Sequence, residues 1–120
     1  AEITRATLES VCYLTSDLFT AMAQDGIKPK SLKVDGGMVN NDWLVQFLAD
    51  TLDMQVCRPA ITETTALGAA YLAGRQVGLY GDLNSFAALW RSDGVFEAHI
   101  KPEQREQLLA GWQDAVRRAT

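Results

Sequence analysis

An α/β fold with a parallel sheet is predicted from three features of these 120 residues. Helical and strand-like segments alternate, which is the pattern of strands joined by crossover helices. A glycine pair follows directly on the first strand, where open α/β sheets place their ligands. The composition, 48% hydrophobic and 22% charged, is that of a soluble globular chain able to bury a core.

Each element follows from its own pattern. Leu8, Val11, Leu14, Leu18, Phe19 and Met22 recur at helical spacing, so Glu2 to Ala23 reads as a long helix with these residues on its buried stripe. Gln24-Asp25-Gly26 stops it, and Pro29 lies just beyond. Ser31 to Val34 is a short strand with Leu32 and Val34 on one face. Asp35-Gly36-Gly37 breaks the chain, and a second amphipathic helix runs from about Asn40 to Leu52, burying Leu44, Val45, Phe47 and Leu48. Gln55 to Cys57 is a second short strand, closed by Pro59. A third helix starts at Thr62 or Thr64, either of which can cap it, and ends near Val77 before Gly78 and Gly81. Asp82 to Trp90 reads as a short helix capped by Asp82. Residues 91–101 look irregular, and across 84–101 Phe86, Leu89, Trp90 and Phe96 are available for core packing or a partner. Pro102 then opens a final helix to Arg118. Two short parallel strands seldom make a stable sheet. Further strands are therefore expected in sequence before residue 1, and the chain reads as a fragment.

Charge and cysteine usage exclude several classes. The net charge is −4 and no basic block exists beyond Arg117-Arg118, too little for nucleic acid; that pair complements the negative end of the last helix. No apolar run has the length of a membrane span, and residues 1–20 lack a leader pattern. Cys12 and Cys57 are far apart and His99 is the single histidine, so no metal site is expected. Free thiols point to a reducing, cytoplasmic setting.

Two stretches carry chemistry. In Val34-Asp35-Gly36-Gly37-Met38-Val39-Asn40-Asn41-Asp42 a strand ends, two glycines turn the chain and a helix begins. Glycine lets a flat ligand lie against bare main chain, and Asn40 or Asn41 can offer an amide to a base edge or ribose. Equally, the glycines can form a tight turn with Asn40 as a cap. The phosphate-cradling GxxxxGK[ST] pattern is absent. In the second stretch, Ala66, Ala70 and Gly74 lie four apart and leave one helix face nearly bare, suited to close approach by the sheet or the first helix. Glu63 or Thr64 could instead meet a ligand; capping and packing is the reading we prefer.

Taken in order, Arg5-Ala6-Thr7-Leu8-Glu9-Ser10, Val34-Asp35-Gly36-Gly37 through Asn41, Gln46-Phe47-Leu48-Ala49-Asp50, Val56-Cys57-Arg58-Pro59 and Glu63-Thr64-Thr65-Ala66-Leu67-Gly68-Ala69-Ala70-Tyr71-Leu72-Ala73-Gly74 resemble the C-terminal domain of glycerol kinases. A weaker likeness continues in Gly111-Trp112 and Ala115-Val116-Arg117-Arg118-Ala119. These enzymes belong to the carbohydrate-kinase family built on the actin-like (ribonuclease H-like) ATPase fold. The resemblance implies that residues 1–120 are a single C-terminal, nucleotide-side domain lacking its preceding strands and N-terminal domain. It implies that Gly36 and Gly37 form the adenosine-side loop and that Asn41 hydrogen-bonds the adenine end. ATP with Mg2+ is the implied cofactor, with the metal, the glycerol and the catalytic carboxylate all held outside these residues, so that the isolated chain is inactive. A sugar or polyol kinase of the same family, and a non-catalytic actin-like nucleotide-binding module, are the alternatives. A homo-oligomer through an exposed sheet edge is an open option.

Overall fold

The computed structural model describes residues 1–88 and 91–119. Its elements are α1 (Glu2–Gln24), β1 (Ser31–Lys33), a 3-10 turn (Gly37–Asn40), α2 (Asp42–Leu52), β2 (Gln55–Pro59), α3 (Thr64–Gln76), α4 (Leu83–Ala87), β3 (Ser92–Phe96) and α5 (Pro102–Ala119). β1 and β2 run parallel, Leu32 beside Val56, joined through α2 as expected.

The sheet has a third strand that the sequence reading left as irregular chain. β3 runs antiparallel to β2, with Val56 opposite Phe96 and Cys57 opposite Val95, and the register shifts at Arg58/Pro59. Ser92-Asp93-Gly94-Val95-Phe96 contains residues that disfavour strands, so local preference hid it. Pairing against β2 supplies what propensity does not.

α2 lies over one face of the sheet. Val39, Val45, Ala49 and Val56 form the buried cluster, with Leu32, Val34, Leu48 and Phe96 packed around it. The expected α2 stripe is buried at Leu44 and Val45 and half-buried at Phe47 and Leu48. α1 packs on α2: the Cys12 thiol donates to the Leu44 carbonyl at 3.8 Å, and Tyr13 meets Phe47 edge-on at 5.7 Å. α5 closes over both helices. Trp112 stacks on Tyr13 at 5.5 Å and donates its indole N–H to Asp17 at 2.8 Å. Arg105 donates to the Asp50 carbonyl and to the Asp53 carboxylate, each at 2.7 Å.

Three further expectations are corrected. On α1 the buried residues are Cys12 and Tyr13, whereas Val11, Leu14 and Leu18 are 40%, 58% and 57% exposed. Periodicity identifies an apolar arc, but α2 covers only one side of that arc. Neither Thr62 nor Thr64 caps α3: Glu63 holds the N-cap position without a side-chain bond, and the Thr64 hydroxyl is turned to the Asp35 carboxylate. The small-residue face of α3 meets neither the sheet nor α1. Ala66 and Ala70 are exposed, and Gly74 is buried under the Tyr80 ring. Tyr71 stacks on Phe86 at 4.1 Å, which fastens α4 to α3, and Asp82 caps α4 by accepting from the Ser85 N–H at 2.9 Å, as expected. Leu89 and Trp90, expected in that helix or against a core or partner, lie outside the described residues.

Candidate functional site

The loop after β1 is shaped by its two glycines in different ways. Gly36 has φ 90° and ψ 168°, a region open in practice only to glycine. Its N–H donates to the Thr62 carbonyl at 2.9 Å, which ties the loop to the segment leading into α3. The Asp35–Thr64 bond adds a second tie. Gly37 starts the 3-10 turn with an ordinary backbone. A Cβ placed on either glycine would meet no atom of the described residues within 4 Å. Main chain therefore faces open space at the carboxyl end of β1.

Asn41, not Asn40, caps the helix that follows. Its Oδ1 accepts from the Leu44 N–H at 3.3 Å, and Asn40 belongs to the 3-10 turn. The cap engages the side-chain oxygen, and the residue is exposed. Asn41 opens on a shallow concavity of about 450 Å³ lined also by Ala1, Thr4, Arg5, Leu8 and Trp43. Trp43 is stacked on Phe47 at 5.1 Å, with the Arg5 guanidinium 5.8 Å from its ring. Asp35 and Met38 line a separate groove of about 330 Å³ with Val11, Cys12 and Val34. Neither hollow is lined by Gly36 or Gly37, so the two glycines and Asn41 share a loop but not one cavity.

A more enclosed cavity of about 390 Å³ is bounded by Lys33, Pro59, Ile61, Thr64, Leu67 and Phe86. Lys33 alternates with Leu32, so this cavity is on the sheet face away from α2. Its lining includes Thr64, weighed above as a ligand contact, but neither Gly36, Gly37 nor Asn41. Among the described residues no group of three or more His, Cys, Asp or Glu is placed to hold a metal. Both cysteines are free thiols.

The sequence reading passed over Arg58, whose side chain is 14% exposed. Its Nη1 donates to the Val39 carbonyl at 2.9 Å and to Asp42 at 2.7 Å, on either side of Asn41. Its Nη2 reaches Asp93 at 3.1 Å, and its guanidinium carbon lies 5.3 Å from the centroid of the Phe96 ring. The hydrogen bond to Asp42 is the largest cause holding its pKa above the usual value. A charged residue inside a half-buried strand was the available signal, since buried charges take partners.

Comparison with known structures places the fold first. A ligand-bound xylulose kinase from Lactobacillus acidophilus superposes with a TM-score of 0.74 over 98% of this chain and 24% of that one, at 21% identity. The arrangement is the partial actin-like domain of the sugar kinases. The chain belongs to the FGGY family of carbohydrate kinases, whose C-terminal domain matches residues 1–77. Within that family its relatives include the glycerol kinase of Rhodospirillum centenum, 59% identical over 98% of this chain and 24% of the relative. Glycerol kinase 1 of Pseudomonas aeruginosa is 56% identical over the same shares. Plasmodium falciparum glycerol kinase, solved with ADP, superposes with a TM-score of 0.77 at 33% identity, over 95% of this chain and 23% of that one. This chain thus spans about a quarter of the length of the relatives it matches.

Proposed function

We propose that this chain is the nucleotide-side part of an ATP-dependent glycerol kinase, which converts glycerol to glycerol 3-phosphate, and that it holds the adenosine end of ATP. The observation that carries the reading is the bare main chain of Gly36 and Gly37, open on its outer side and followed four residues later by Asn41 at the start of α2. The ADP in the Plasmodium relative and the glycerol kinase names of the relatives at 56–59% identity support the same reading.

Phosphoryl transfer rests on positioning and on electrostatic stabilisation of the transferring group. In this proposal the chain supplies positioning. Gly37 gives the nucleotide a surface free of side chains, and Asn41 presents its amide to the base while its oxygen holds the helix start. Magnesium accompanies ATP in this chemistry, and no group of three or more His, Cys, Asp or Glu is placed to hold it among the described residues. The glycerol, the metal and the base that activates the acceptor hydroxyl belong to other parts of the protein. A cytoplasmic location is part of the same proposal, in keeping with two unpaired thiols. No helix among the described residues is long and apolar enough to cross a membrane.

The test is steady-state kinetics of the full-length kinase carrying Gly37→Val. KM for ATP should rise while KM for glycerol holds. Unchanged KM for ATP would remove the loop from the nucleotide site. A panel of polyol and sugar acceptors on the same enzyme separates glycerol from the acceptors of the wider family.

A further inference from the structure

We infer that Arg58 is a positioning residue for the base end of the nucleotide site, acting through Asn41 rather than on the ligand itself. The inference rests on the nucleotide reading above and goes beyond it by naming what holds the loop in shape.

Arg58 projects from the end of β2 on the α2 face of the sheet. One nitrogen, Nη1, bonds the carbonyl of Val39, two residues before Asn41, and the carboxylate of Asp42, immediately after it. Asn41 is therefore flanked on both sides by groups fixed to one guanidinium. Nη1 carries two N–H groups, one for each partner, and Nη2 is tied to Asp93, so the planar, forked head group fixes all three directions at once. Lysine offers a point charge on a flexible stem and does not reproduce the fork.

β3 builds the seat. Asp93 accepts from Nη2, and the guanidinium carbon lies over the Phe96 ring, 5.3 Å from its centroid. Gly94 stands opposite Arg58 in the ladder. A Cβ there would come within 2.9 Å of the Phe96 ring and 3.6 Å of Nη2. The glycine that weakens β3 as a strand thus makes room for the Phe96 ring beside the guanidinium, while the distance to Nη2 is ordinary contact. The Nε atom is buried with no hydrogen-bond partner among the described residues, so the seat of this arginine is held by its two terminal nitrogens.

Arg105 supplies a matched comparison within the same fold. Its side chain is also 14% exposed, and it also bonds one backbone carbonyl and one exposed carboxylate. Its partners, Asp50 and Asp53, lie at the far end of α2, roughly 15 Å along the helix from Asp42 at 1.5 Å per residue. General loss of stability should follow from either arginine; loss of loop position should follow only from Arg58.

The experiment compares Arg58→Lys, Asp42→Asn, Arg105→Lys and Gly37→Val in the full-length kinase, with KM for ATP, KM for glycerol, kcat and Tm measured for each. Arg58→Lys and Asp42→Asn should each raise KM for ATP by roughly three- to tenfold, the scale of one weakened charge-assisted hydrogen bond. KM for glycerol and kcat should stay within about twofold, and the double variant should be no worse than the poorer single one, because both changes break the same contact. Arg105→Lys should lower Tm as much as Arg58→Lys and leave KM for ATP unchanged. If Arg58→Lys does not fold, Asp42→Asn decides alone, since that carboxylate is 76% exposed. The inference is overturned if Arg58→Lys and Asp42→Asn leave KM for ATP alone while Gly37→Val raises it, or if Arg105→Lys raises it equally. Should Gly37→Val also have no effect, the nucleotide reading falls, and the role of Arg58 with it.

Discussion

Replacing Gly36 and Gly37 one at a time should separate what the loop does for folding from what it does for binding. Gly36 sits at φ 90° and ψ 168°, and an L side chain forced into that region costs about 1–3 kcal/mol. The cost is all strain, because a Cβ at Gly36 meets no atom of the described residues within 4 Å. Its N–H is also bonded to the Thr62 carbonyl, so relaxing φ would break the tie to α3. At roughly 2–4 °C per kcal/mol for a unit of 150–250 residues, Gly36→Ala should lower Tm by about 2–12 °C. Gly37 has neither a positive φ nor a neighbour among the described residues, so Gly37→Ala should change stability by no more than about 0.5 kcal/mol. Binding should be affected differently, since any side chain at Gly37 stands in the space assigned to the nucleotide. Gly37→Ala, and more so Gly37→Val, should weaken ATP binding at unchanged Tm. Calorimetry for stability and isothermal titration with ADP for binding resolve the two on full-length protein. Equal effects of both glycines on Tm, or full ADP affinity in Gly37→Val, would refute the reasoning.

The double use of Asn41 makes its substitutions informative. Asn41→Ala should lose the α2 cap, at about 1 kcal/mol of stability, and weaken ATP binding. Asn41→Ser keeps a capping oxygen without the amide, so it should recover Tm and not ATP affinity; recovery of both in a thermal-shift and kinetic comparison would show that the cap alone matters. Asp17→Ala should leave the Trp112 indole N–H without its acceptor, costing about 1–3 kcal/mol, visible as a lower urea midpoint followed by tryptophan fluorescence. Burial pushes the Cys12 thiol up from 9.0 to about 12. Above pH 9 the unfolded chain therefore releases a proton that the folded one keeps, and stability should fall from pH 9 towards 12. Cys12→Ala should show a shallower alkaline decline in urea titrations, and an identical slope would contradict the assignment.

Much of the fold was legible because its signals are local. The break at Gly36-Gly37, the strand from Gln55, the Asp82 cap and the helix from Pro102 each follow from residues within a few positions of one another, and the parallel pairing follows from the single helix that joins the first two strands. The glycine loop was legible for the same reason. β3 was not, because Gly94 and Asp93 argue against a strand until β2 and the guanidinium of Arg58 stand opposite them. The buried side of α1 was hidden too: Val11, Leu14 and Leu18 form a sound apolar stripe, yet within this chain α2 and α5 meet Cys12 and Tyr13.

By itself, the sequence determined the order of the helices and of the first two strands, the glycine turn after β1 and the family to which these motifs point, since backbone preference and spacing act over one or two turns. Tertiary structure alone decided that Asn41 rather than Asn40 caps α2, that Thr62 and Asp35 tie the loop to α3, and that Arg58 grips the chain on both sides of Asn41. Apart from the Asn41 cap, which spans three residues, those contacts join positions 16 to 29 residues apart. Their existence depends on which chains the packed sheet and α2 bring within hydrogen-bonding reach, a distance that no local pattern encodes.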